Sequence, residues 1–181
     1  FEANHLNLEK CLVDFNDMQG FRKALEGSDV IFCSIGTTQK KVKGDKKAYR
    51  KVDYDITVNA AKFCKLNGCE DFVFVSAIGA NSQSKNFYLR LKGEIEEAVK
   101  ATGLGSVHCM QPSVLLGNRK EFRMGEKLAV WLMPLLSFLL PVKYKPIHAL
   151  DVAKAMLSAA RNNRPGFFAW KYSEMKQSTK L

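Results

Sequence analysis

In the stretch NFYLRLKGEIEEAV, residues 86–99, Tyr88 stands four positions before Lys92. Residues four apart on a helix lie one above the other, so a phenol and an ammonium there can reach a single ligand. An ammonium favours the phenolate and draws a phenol down from its ordinary pKa of about 10 towards neutrality. Tyr88 is therefore a candidate general acid or base. Ser76, twelve residues upstream at the end of an apolar run, is placed to hydrogen-bond a substrate carbonyl. The plainer reading is a half-buried Tyr and a snorkelling Lys on a stripe shared with Phe87, Leu91, Ile95 and Val99. The elements around the pair decide between the two.

Strand and helix signals alternate along the chain. KCLVDF (10–15) reads as a short strand, and DMQGFRKALEG (17–27) repeats Met18, Phe21 and Leu25 at helical spacing before Gly27. DVIFCSIG (29–36), DFVFVSAIG (71–79) and SVHCMQPSVLLG (106–117) carry continuous apolar runs, the mark of strands buried on both faces. Between them a helix is expected within 45–66, with Asp45 as its N-cap and Gly68 just past its end. A second helix begins near Asn86 and stops near Gly103. KPIHALDVAKAMLSAAR (145–161) reads as an extended entry into a helix started by Asp151, GFFAWKY (166–172) as a short strand, and the polar tail as loose. The pattern predicts an α/β fold, a doubly wound, Rossmann-like parallel sheet over one domain, 1–181, with 117–145 as the substrate-side segment.

Composition narrows the functions. The five cysteines are odd in number and lack a second pair at ligand spacing, so free thiols, a reducing cytoplasmic location and no metal site are expected. The net charge of +10 gathers at KKVKGDKKAYRK (40–51), where seven of twelve residues are Lys or Arg and Tyr49 is the one aromatic. That favours a solvated segment near an anionic cofactor or substrate over a nucleic-acid platform. The opening FEANHLNLEK has neither part of a signal peptide. Leu128 to Val142 is apolar for fifteen residues but broken by Pro134, too short to span a bilayer. A pocket wall, a protein partner or a homodimer contact would cover it. His5 is read as exposed, His108 as a core side chain and His148 as lying near the pocket. Asp53, Tyr54 and Asp55 are read as solvated or helix-packing.

In open α/β sheets ligands bind beyond the carboxyl ends of the strands. Those ends are Asp14 and Phe15; SIGTT, from Ser34; SAIG, from Ser76; and QPSV, from Gln111. Small and hydroxyl residues gather there, which admits a flat ligand close to the backbone. With Ser76, Tyr88 and Lys92 in place, the chain resembles the short-chain dehydrogenase/reductase superfamily. GSDVIFCSIGTT, GCEDFVFVSAIGANSQSKNFYLRLKGEIEEAV, QPSVLLGNRKEFRMGE and PIHALDVAKAM resemble its atypical branch, the Tat-interacting-protein-like oxidoreductases, over roughly residues 10–160.

The resemblance implies an NADP or NAD cofactor, NADP favoured, and a catalytic trio of Ser76, Tyr88 and Lys92. It also implies that Asp14 and Phe15 flank the adenine. Ser34, Ile35, Gly36 and Thr37 would lie beneath the cofactor, Pro112, Ser113 and Val114 would meet the nicotinamide, and Lys92 would hold a ribose hydroxyl. The substrate would be a small carbonyl or alcohol compound. No glycine-rich strand-turn-helix is present, although such a site receives the pyrophosphate on a helix N-terminus. The chain is therefore read as a fragment lacking a first βαβ unit. The alternative to an oxidoreductase is a cofactor-binding regulatory protein with little or no catalysis.

Overall fold

The computed structural model describes residues 5–117, 141–162 and 164–178. Its first strand, β1 (Val30–Cys33), pairs in parallel with β2 (Asp71–Val75), and β2 with β3 (Ser106–Met110). Two short strands, β4 (Leu115–Leu116) and β5 (Ile147–His148), pair with each other. The last strand, β6 (Gly166–Trp170), completes the main sheet in the order β1-β2-β3-β6, parallel throughout. The apolar runs of β2 and β3 have the expected cause, all five residues of β3 being buried, but the expectation for 29–36 is corrected, because β1 lies at the edge of the described sheet and leaves Phe32 44% exposed.

Side chains alternate across a strand, and here the alternation divides two layers. Phe72 and Phe74 pack with Leu91, Ile95 and Val99 on one face. Val73 packs with Met110, Ala155, Met156 and Met175 on the other. The first layer holds α1 (Met18–Lys23), α2 (Lys46–Arg50), α3 (Ile56–Leu66) and α4 (Phe87–Lys100). The second holds α5 (Ala149–Asn162) and α6 (Tyr172–Ser178). Asp45 caps α2 as expected, accepting from the amides of Lys47 at 2.7 Å and Ala48 at 3.1 Å. Gly68 follows α3 with φ +78°, a conformation other residues rarely adopt.

Several expectations change. Residues 10–15 form no strand: Val13 and Phe15 pack on the core while Leu12 is fully exposed. An apolar run becomes a strand only by joining a ladder, and this one meets the sheet through side chains alone. Residues 172–178 are helical rather than loose, because Met175 is fully buried under α5. Asp151 lies within the first turn of α5 instead of capping it, and pairs with Lys176 at 2.9 Å. His108 is a satisfied core side chain as expected, with Trp170 donating to its Nδ1 at 3.0 Å. Most of the apolar segment 128–142 lies outside the described residues. Among those described, no helix is long and apolar enough to cross a membrane.

Candidate active site

Helix α4 carries the expected pair. Asn86 starts it, its side chain accepting from the Leu89 amide at 3.2 Å. The preceding loop folds back onto the helix, with the Asn81 amide donating to the Leu89 carbonyl at 3.0 Å. Gly93 makes that approach possible, because a Cβ there would lie 2.2 Å from the Ser82 nitrogen and 2.3 Å from the Asn81 carbonyl carbon. The next residue back is Lys92, buried at 6% exposure, with its ammonium 6.0 Å from the centre of the Tyr88 ring. Tyr88 is half-buried against the core. Neither side chain of the pair stands free in solvent.

Lys92 points towards the carboxyl end of β1. Its Nζ lies 3.1 Å from Oδ1 of Asp53, whose other oxygen accepts from the Thr37 amide at 2.7 Å. Asp53 is 1% exposed, so both charges are withdrawn from water and compensate each other. A π-type turn at Lys51–Asp55 joins α2 to α3 and holds Asp53 there. Thr57 donates to the Asp53 carbonyl at 2.8 Å, and the Tyr49 hydroxyl to the Thr37 carbonyl at 3.2 Å. Of the two readings of Asp53, solvated is corrected by its burial and helix-packing holds, since it ties the turn 51–55 to α4. Tyr49, Asp53 and Thr57 share one buried stripe at four-residue spacing, the signal that should have drawn attention to this acid.

Ser76 is also held, by a group the sequence reading missed. Its hydroxyl donates to Glu96, one turn beyond Lys92 on α4, and Gln111 Nε2 donates to both Glu96 oxygens at 3.0 Å. Here the Ser76 proton rests on a carboxylate, and a hydroxyl rotates freely enough to be turned to a substrate carbonyl instead. The turn beyond β3 is braced as well. Pro112 O accepts from Ile78 N at 3.0 Å, Ser113 Oγ donates to Lys145 O, and Val114 O accepts from Ile147 N at 3.0 Å.

The remaining candidates lie around the edge. Asp14 is exposed, and the amide and side chain of Asn16 hold its carboxyl below the usual range. Phe15 meets Phe21 edge-on at 4.9 Å. Ser34 and Gly36 are exposed, Ile35 is half-buried and Thr37 is buried. A Cβ on Gly36 would stand 3.4 Å from Asp53 Oδ1, so the loop runs close over the ion pair. Burial pushes the thiols of Cys33 and Cys109 up and keeps them protonated, which removes them as nucleophiles.

The comparisons agree with this fold. The NAD(P)H-binding family matches residues 1–128. Protein HTATIP2 of Rattus norvegicus is 36% identical over 128 residues, covering 71% of this chain and 52% of that protein. The mitochondrial protein FMP52 of Candida albicans is 35% identical over 149 residues, covering 77% of this chain and 61% of that protein. The chain thus spans little more than half the length of these relatives. Among solved structures, UDP-N-acetylglucosamine 4-epimerase of Bacillus cereus is similar in fold, with a TM-score of 0.64 at 18% identity, covering 92% of this chain and 69% of that one. The dTDP-4-dehydrorhamnose reductase of Bacillus anthracis, solved with NADP, has a TM-score of 0.62 at 12% identity, covering 93% and 68%. The cytoplasmic expectation is corrected by the fungal relatives, which are named as mitochondrial proteins. Free thiols report a reducing environment, and that does not single out the cytoplasm.

Proposed function

The chain belongs to the NAD(P)H-binding family, and from that premise we propose an NAD(P)-dependent oxidoreductase of the atypical short-chain dehydrogenase/reductase type acting on a carbonyl or alcohol, with Tyr88 as general acid or base. The observation that carries the reading is the buried Lys92 ammonium, turned from the Tyr88 face of α4 towards loop 36–37. The residues present suit a nicotinamide nucleotide. Gly36 is exposed and bare of side chain, so a ligand can approach its backbone. An ammonium carries three N–H donors, and with one directed at Asp53 two remain for a ribose hydroxyl and the Tyr88 oxygen. The bound nicotinamide supplies or takes up the hydride. Tyr88 gives or receives the proton at the substrate oxygen, Lys92 orients that phenol, and the Ser76 hydroxyl, resting on Glu96, turns its proton to that oxygen.

The test uses the full-length protein with NADPH and NADH and a panel of small aldehydes and ketones, followed by loss of absorbance of the reduced cofactor. Tyr88→Phe is expected to lower turnover by about 10²- to 10⁴-fold while cofactor binding persists. Turnover unchanged in Tyr88→Phe would remove the proton-transfer role. Cofactor binding with no substrate turned over would favour the regulatory alternative.

A further inference from the structure

We infer that Asp53 is a positioning residue for the cofactor, one carboxylate fixing both the loop beneath the nucleotide and the ammonium that reaches it. The inference rests on the oxidoreductase reading above and deepens it. Its grounds are geometric. The two carboxylate oxygens divide their work, Oδ2 taking the Thr37 amide at 2.7 Å and Oδ1 the Lys92 ammonium at 3.1 Å. The side chains of Asp53 and Lys92 are 2% and 7% exposed, so water cannot substitute for either contact.

A Lys side chain is flexible, and an ammonium is a point charge with no preferred plane. Nothing in Lys92 itself fixes where its remaining N–H bonds point. The carboxylate does so, and Asp53 is in turn held by the π-type turn and by the Thr57 hydroxyl on its carbonyl. Because the same carboxylate anchors Thr37, a shift of the loop and a shift of the ammonium are mechanically one event. A pair kept only for stability would have no such effect, and isolated buried pairs are often no more stabilising than an apolar replacement.

Asp53→Asn keeps an acceptor for the Thr37 amide but removes the charge that orients Lys92. The experiment measures NADPH and NADH affinity of the full-length protein by fluorescence titration in four forms: wild type, Asp53→Asn, Lys92→Met, and the two combined. If Asp53 acts through Lys92, Asp53→Asn weakens binding about tenfold or more, the worth of a charge-assisted contact. In the Lys92→Met background the same change then costs nothing further. Asp53→Asn strands a buried ammonium and Lys92→Met a buried carboxylate, so circular dichroism first establishes that each single variant is folded, and the combined variant, in which neither charge remains, is then compared with Lys92→Met. Equal affinities there support the inference, and a further loss overturns it. Unchanged affinity in a folded Asp53→Asn also overturns it, with the oxidoreductase reading intact. Absence of binding to the wild type fells that reading and this one together.

Discussion

Burial decides what each titratable side chain can do, and His108 shows the rule most simply. It sits fully buried in the middle of β3, stacked on Phe168 at 5.3 Å, with Ser106 at its Nε2 and Trp170 donating to Nδ1. A nitrogen that accepts from Trp170 carries no proton, and burial pushes the imidazole pKa down. In the unfolded chain the same ring takes up a proton near pH 6.5, so below about that value the unfolded state binds more protons and stability falls as pH drops. Urea midpoints measured from pH 7.5 down to 5 are expected to fall more steeply for wild type than for His108→Asn. Parallel slopes would contradict the assignment. At this scale Tyr88 and Lys92 were legible, because helical spacing alone places them together. Asp53 and Glu96 were not, because what an acid pairs with is set by segments 39 and 20 residues away that only the fold brings near.

At the level of elements, β2 and β3 were legible from their apolar runs, since a parallel strand covered on both faces has no polar side to show, whereas β1, equally apolar, lies at the edge of the described sheet with Phe32 44% exposed. Their carboxyl ends were legible too, at Ser34, Ser76 and Gln111, directly after β1, β2 and β3. Each run continues into the turn that builds the site, where backbone groups leave the ladder, as Ile78 does to meet Pro112. The segment 10–15 had a strand's composition, but strand formation depends on an available edge that composition does not encode. The contact between α4 and its preceding loop was equally hidden, resting as it does on one missing methyl group. Gly93→Ala would press a carbon into the backbone at 81–82 and shift the helix that carries Tyr88 and Lys92. Overpacking of this kind costs about 1–3 kcal/mol or more, to be read as a lowered denaturation midpoint. A midpoint equal to wild type would mean that the loop moves aside freely.

For the molecule as a whole, the parallel sheet with helices on both faces places loop 36–37, the Ser76 strand end, the 112–114 turn and α4 around the carboxyl ends of the strands, where ligands of such sheets bind. The ties among them run through carboxylates: Asp53 joins the first of these segments to α4, and Glu96 joins the second. A nucleotide bound there adds contacts that exist only in the folded state and raises stability in proportion to its concentration over Kd. The most direct measurement is therefore calorimetric titration of the full-length protein with NADPH and with NADH, repeated on Lys92→Met. Saturable binding to the wild type with about tenfold or greater loss in Lys92→Met is the predicted result. No binding at millimolar nucleotide, or equal binding by both proteins, would contradict a cofactor site built on Tyr88 and Lys92.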